Sequence, residues 1–167
     1  MENLKKRYFV SSSEGREIIR KAFSEGFLSK EKYEKVEILE LKNGDKIILL
    51  DDMPLLILLN NLIIPSLLNA NVKKLPFFKV DAGAVPHILN GADVMAPGIT
   101  QYPSEINEGM IVSVKSEKDE FLCIAKVLDS ALEKLKLKKG KVLENLHYKN
   151  DKYYEICVQA LKKSLKK

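Results

Sequence analysis

The chain has 167 residues, 28 of them Lys or Arg against 23 Asp or Glu, for a formal charge of +5. An apolar fraction of 46% beside 31% charged residues excludes a disordered chain, and the length is enough to bury a core in one ordinary domain or two small ones. A charge this mild does not by itself establish a nucleic-acid partner. In chain order, Met1 to Arg7 is polar and basic with no apolar segment behind it, so no secretory signal is read there. Ser11 with Glu14 fits a capping box, Ile18, Ile19, Ala22 and Phe23 share a helical face, and Gly26 marks the stop. Val36 to Leu41 and Lys46 to Leu50 read as strands joined by an Asn43-Gly44-Asp45 turn. Leu55 to Leu59 fits a buried strand or part of a helix, since periodicity does not decide between them. Pro65 suits the first turn of a short helix through Leu68. A polar break over Asn69-Ala70-Asn71 and Lys73-Lys74 puts a domain boundary near residue 74.

Beyond it, Phe77 to Val80 reads as a strand, followed by a turn and a helix from about Ala84 to Asn90 that Gly91 ends. Extended pieces follow at Val94 to Ala96, Met110 to Ser116, Glu120 to Leu128 and Val142 to Tyr148, punctuated by turns such as Pro97-Gly98 and Glu108-Gly109. Between the last two strands Ser130 and Glu133 fit the cap of a short helix. Many short strands with one early helix indicate a small, partly closed barrel. Tyr153 to Leu165 reads as a C-terminal helix with Ile156, Ala160 and Leu161 inward. The expected fold is an α+β N-terminal domain over 1–74 and a mostly β pseudobarrel over 75–167 that includes the C-terminal helix and basic tail.

The most distinctive stretch runs from Val80 to Ile99: V-D-A-G-A, a short helix, then G-A-D-V-M-A-P-G-I. It resembles the signature of the PUA domain, an RNA-binding pseudobarrel. Glu144-Asn145-Leu146-His147-Tyr148-Lys149-Asn150-Asp151 and Val36 to Leu39 before the Asn43-Gly44 turn carry the resemblance further. Together they resemble the malignant T-cell-amplified sequence, or translation-machinery-associated, family in an archaeal form with a pre-PUA domain. Carried over residue by residue, that resemblance implies an RNA face made by Gly83, Ala84, His87, Asn90, Gly91, Ala92, Met95, Pro97 and Gly98, with Lys79 nearby. It also implies structured RNA as partner, either a tRNA acceptor end or rRNA, together with the small ribosomal subunit and a density-regulated-type partner protein. From the residues alone, Gly83 permits close backbone approach of a ligand at a helix N-terminus, where free N–H groups suit phosphate or ribose.

Other chemistry is weakly represented. Asp51 and Asp52 are adjacent, which in an extended strand points them to opposite sides, and no nucleophile is paired with a base. Asp81 is explained as a helix cap. Cys123 and Cys157 form no CxxC pair and no metal spacing with His147, so neither a disulfide framework nor zinc is expected. Cys123 fits a small core residue, and His147 a buried hydrogen-bonding one. His87 fits either a base or phosphate contact or a solvent-facing site, and Tyr102 is the tyrosine best suited to stack on a base. Lys134, Lys136, Lys138, Lys139 and Lys141, with Lys162, Lys163, Lys166 and Lys167, fit either a solvated face or phosphate contact. The Ile47 to Leu68 stretch is too interrupted to span a membrane. The expectation is a cytoplasmic, non-catalytic RNA-binding factor of translation without cofactor or metal. Two alternatives stand beside it: an RNA-modification accessory and a protein-interaction module.

Overall fold

The computed structural model describes residues 2–166; Lys167 of the C-terminal lysine cluster lies outside them. The first elements are β1 (Leu4–Phe9), α1 (Ser12–Ser24), β2 (Val36–Leu41), β3 (Lys46–Leu50), β4 (Met53–Leu59) and β5 (Leu62–Pro65). Then come β6 (Phe77–Val80), α2 (Val85–Ile88), β7 (Val94–Met95), β8 (Ile99–Gln101), β9 (Ile111–Ser116) and β10 (Phe121–Val127). The chain closes with α3 (Ala131–Leu137), β11 (Lys141–Tyr148) and α4 (Lys152–Leu165). Two compact units result, Met1–Lys74 with Lys152–Lys167, and Leu75–Asp151. Among the described residues no helix is long and apolar enough to cross a membrane.

In the first unit the five strands form an antiparallel meander in the order β1-β2-β3-β4-β5. Strand β3 is central, and Ile47, Ile48, Leu49 and Leu50 are all at most 1% exposed, so both of its faces are covered. That is why its sequence is a continuous apolar run rather than an alternating one. Helix α1 starts where Ser11 Oγ accepts the Glu14 N–H at 3.3 Å. It stops at Gly26, whose φ of +82° lets Phe27 N–H reach back to the Ala22 carbonyl. Helix α4 packs on β4, with the Tyr153 hydroxyl donating to Asp45 and Ser164 Oγ donating to the Asp52 carbonyl at 2.9 Å.

Several local expectations are corrected. The C-terminal helix does not belong with the pseudobarrel as expected: α4 buries Tyr153, Ile156, Cys157 and Ala160 and lies in the first unit. Pro65 does not open a helix. It closes the edge strand β5 opposite Leu56, where a missing N–H is tolerated, and a 3₁₀ turn over Ala70–Lys74 follows instead. Asp51 and Asp52 occupy a tight turn between β3 and β4 with φ of 49° and 69°, not an extended strand. Asp51 Oδ1 there accepts the Glu34 and Lys35 N–H groups, each at 2.8 Å. Ser130 precedes α3 with φ of 53° and makes no side-chain cap. Strand β1, absent from the sequence reading, pairs with β2, and its cations neutralise that strand: Lys5 and Lys6 reach Glu40, and Arg7 forms a bidentate pair with buried Glu37. The Glu37 hydrogen bond, against some desolvation, holds the Arg7 guanidinium above its ordinary pKa.

The second unit is a six-stranded sheet ordered β7-β11-β10-β9-β6-β8. Among the described residues its only parallel pair is β6 with β9. One face encloses a core that includes Phe78, Val80, Ile88, Val112, Val114, Cys123, Ala125 and Leu143. With helices α2 and α3 packed onto it, this is the mostly β pseudobarrel with one early helix. Cys123 is fully buried there, and burial first, with Asp93 and Asp151 adding, pushes its thiol pKa far up.

Asn69 joins three segments of the first unit. Its Nδ2 donates to the Phe27 carbonyl at 2.8 Å and the Leu55 carbonyl at 3.0 Å, and its Oδ1 accepts the Asn71 N–H at 2.9 Å. Asn69→Ala leaves the Phe27 carbonyl and the Asn71 N–H unpaired and takes one of two donors from the Leu55 carbonyl, which keeps the Ser66 N–H, and is expected to cost about 2–3 kcal/mol. Asn69→Asp is expected to fail as well, since a carboxylate supplies no N–H. Urea unfolding of the three proteins measures both.

Candidate functional site

The segment after β6 is built by one carboxylate and one glycine. Asp81 Oδ1 accepts the Ala84 N–H at 2.9 Å, folding residues 81–84 into a turn that leads into α2. The helix is a single turn, shorter than the sequence reading, and Asp81 holds the Ala84 amide just ahead of it. With Pro86 lacking an N–H in that one turn, the helix N-terminus offers few free amides to a phosphate. The helix ends as Ala92 N–H bonds the His87 carbonyl and Gly91 N–H bonds the Ile88 carbonyl, each at 3.0 Å, with Gly91 at φ +93°.

Strand β11 then fastens the loop. Asn145 Nδ2 donates to the Ile88 carbonyl at 3.1 Å and the Ala92 carbonyl at 3.0 Å, while its backbone N–H donates to Asp93 Oδ1 at 2.8 Å. Asp93 Oδ2 in turn pairs with Lys141 Nζ at 3.0 Å. At the far end of the strand, buried His147 Nδ1 sits 2.9 Å from Asp151 Oδ2, and the same carboxylate accepts the Tyr148 N–H at 2.9 Å. His147 is thus the buried hydrogen-bonding residue expected of it, and the segment from Glu144 to Asp151 serves to hold the Val80–Ile99 segment in place.

The loop and the short strand β7 enclose a cleft of about 380 Å³ lined by Asp81, Ala84, His87, Ile88, Ala92, Asp93, Val94, Met95, Pro97 and Gly98. Among the described residues its lining carries no lysine or arginine. The walls are Ile88, Val94, Met95 and Pro97, with Met95 48% exposed, and the polar groups are two carboxylates and one imidazole. Such a cleft suits a flat, largely apolar group bearing N–H donors and repels a bare phosphate.

Of the ten residues singled out from sequence, Ala84, His87, Ala92, Met95, Pro97 and Gly98 line this cleft together. Asn90 is exposed beyond the end of α2, and Gly83 is exposed on the turn. Gly91 is a packing residue, since a Cβ there would stand 3.2 Å from the Tyr148 ring. Lys79 is directed elsewhere: its Nζ pairs with Asp119 at 2.7 Å, and that pairing depresses the Asp119 pKa. Gly98 is closely packed too, with a Cβ there 3.1 Å from Ala84 Cβ. Sequence reading gave Asp81 only a capping role and left out Ile88, Asp93 and Val94. The spacing of 81, 84, 87 and 88 on one side of a helical turn was the signal that could have found Asp81 and Ile88. In the lysine cluster, Lys134 Nζ donates to the Lys141 carbonyl at 2.8 Å and lies 3.8 Å from Asp129, while Lys136, Lys138 and Lys139 are exposed.

Comparison with known proteins gives two family matches: the PUA domain over residues 76–149 and a domain of unknown function (DUF1947) over residues 6–71. An uncharacterized protein of Methanocaldococcus jannaschii is 33% identical over 164 residues, covering 90% of this chain and 96% of that one. Malignant T-cell-amplified sequence 2 of Homo sapiens is 40% identical over 83 residues, 46% of this chain and 45% of the human one. Translation machinery-associated protein 20 of Saccharomyces cerevisiae is 29% identical over 91 residues, half of each chain. The crystal structure of a hypothetical protein from Pyrococcus horikoshii superposes with a TM-score of 0.76 at 32% identity, covering 91% of this chain and 99% of that one.

The two glycines of the turn separate packing from ligand approach. Gly91→Ala combines a left-handed φ with a crowded Cβ and is expected to destabilise the protein by about 1–3 kcal/mol. Gly83→Ala has neither burden and is expected to stay within about 0.5 kcal/mol of the parent. Guanidinium unfolding of both variants distinguishes the roles.

Proposed function

The chain belongs to the family that joins a DUF1947 domain to a PUA domain, and from that premise we propose that it is a non-catalytic RNA-binding factor of the translation apparatus. In this reading the Asp81–Gly98 cleft takes an unpaired nucleotide of structured RNA, with the tRNA acceptor end favoured over an rRNA site. The observation that carries it is the cleft's make-up: apolar walls with Asp81, Asp93 and His87 at hand and no cation in the lining. A base offers a flat face to such walls and exocyclic or ring N–H groups to the carboxylates, whereas a phosphate gains nothing there. Affinity for the backbone then comes from cations outside the cleft, among them the exposed Lys136, Lys138 and Lys139.

The translation role rests on the partial matches to the malignant T-cell-amplified and translation machinery-associated relatives. The small ribosomal subunit and a density-regulated-type partner protein belong to the same proposal, as does a cytoplasmic location. Non-catalytic action is supported by the chemistry at the cleft: Asp81 and Asp93 are both engaged in backbone hydrogen bonds that hold the loop, and neither faces a nucleophile.

The test is binding of purified protein to tRNA with and without its terminal CCA, across a salt series. Loss of CCA is expected to weaken binding about tenfold or more at every salt concentration. Ala92→Trp, which fills the cleft from an exposed position, is expected to weaken binding to intact tRNA to the level of the truncated one. Equal binding to both RNAs by the parent protein overturns the acceptor-end reading, and unaltered binding by the variant overturns the assignment of the cleft.

A further inference from the structure

Helix α4 lies along β4 and is fastened near both ends of that strand. At the start of the helix the Tyr153 hydroxyl donates to Asp45. The other oxygen of that carboxylate accepts the N–H of Asn60, in the turn after β4, at 3.2 Å. At the end of the helix Ser164 Oγ donates at 2.9 Å to the carbonyl of Asp52, in the turn before β4. Between the two fastenings Tyr153, Ile156, Cys157 and Ala160 recur at helical spacing and are buried. The last turn packs less: Lys162, Lys163 and Lys166 are exposed, and Leu165 is 78% exposed.

The two fastenings are unequal. A hydroxyl has one hydrogen, and that of Ser164 has two carbonyls in reach, Asp52 on the sheet and Ala160 of its own helix at 3.1 Å. Lifting the end of α4 moves the bond from one to the other and leaves the serine satisfied. Tyr153 is bound instead to a carboxylate, and a charge-assisted bond is stronger than one to a neutral carbonyl. Asp45 is also held by the Asn43 side chain at 2.9 Å, so this fastening point is itself rigid.

Lifting the helix also breaks no backbone ladder. The N–H groups of a helix bond within it, whereas removing any of β1 to β5 strips a strand of its partners. The five-stranded order is complete without α4, which belongs to the segment Lys152–Lys167 that joins the first unit from beyond the second in sequence.

We infer that α4 is a strap that lifts from its C-terminal end, with Ser164 letting go of the sheet before Tyr153 does. Its release uncovers Cys157 and the side of β4 beneath it, while the five strands and the second unit stay folded. The first unit thus has an open and a closed form that do not disturb the cleft of the second.

The two cysteines report on this directly. Cys157 in the first unit and Cys123 in the second are both fully buried, so each reacts with a thiol reagent only when its surroundings open. The experiment labels the full chain with an uncharged alkylating reagent across a urea series below the unfolding transition, and follows each cysteine by mass spectrometry. Cys157 is expected to label about tenfold or more faster than Cys123. Its rate is also expected to rise less steeply with urea than global unfolding does, because lifting one helix exposes less surface. Tyr153→Phe is expected to speed the labelling of Cys157 by about tenfold and to leave Cys123 unchanged. Ser164→Ala is expected to speed it by less than about twofold, since the hydroxyl loses a bond in both forms. Labelling of Cys157 with the full unfolding slope overturns the strap, for α4 then leaves only with the whole fold. Equal acceleration of both cysteines by Tyr153→Phe overturns its independence of the second unit. Equal effects of the two substitutions on Cys157 overturn the order of release.

Discussion

The turn around α2 and the cleft beside it depend on one amide. Asn145 reaches from β11 to the Ile88 carbonyl at the helix end, which also accepts the Gly91 N–H, and to the Ala92 carbonyl in the loop beyond, and its backbone N–H donates to Asp93. Its own Oδ1 is buried without a partner among the described residues, a cost of about 1–3 kcal/mol that the two donated bonds offset. A single turn of helix has no cooperative stability of its own. Its geometry is borrowed from the strand, so the cleft wall is only as well defined as the register of β11.

That register is secured at both ends. Leu143 pairs with Val94 of β7 at one end, and at the other the Asp151 carboxylate binds His147 and the Tyr148 N–H. A slip of one residue turns every side chain to the opposite face and withdraws Asn145 from the loop. Tyr148 adds a second restraint, for its ring occupies the space that a Cβ at position 91 would need. Strand, loop and helix are thus one mechanical unit, which accounts for the two distant sequence segments belonging together.

Electrostatics divide the work between cleft and surroundings. Lys141 and Lys134 are spent on internal contacts, to Asp93 and to the Lys141 carbonyl, and so shape the site more than they attract a ligand. The exposed lysines of the same run remain available for long-range attraction, which falls with salt. A cleft free of cations beside a mildly basic surface can hold a base without trapping phosphate inside it. In the first unit Asp45 plays a comparable joining role, taking bonds from the Asn43 side chain, the Asn60 N–H and the Tyr153 hydroxyl.

Local signals were legible in the amino-acid order wherever the cause is local. The Ser11 cap, the Asn43-Gly44 turn and the strands Val36–Leu41, Lys46–Leu50 and Phe77–Val80 follow from capping, turn chemistry and patterning within a few residues. Six of the residues chosen from the Val80–Ile99 motif likewise meet in one cleft. Pro65, Asp51-Asp52 and β1 escaped because a partner strand, not their own pattern, decides their conformation. The sequence by itself determined which segments turn, cap and alternate, because those preferences act between near neighbours. Only the tertiary structure decided that α4 packs on the first sheet, that Lys79 serves the β9–β10 turn and that Gly91 is needed for packing while Gly83 is not, because each depends on what lies across space from the residue.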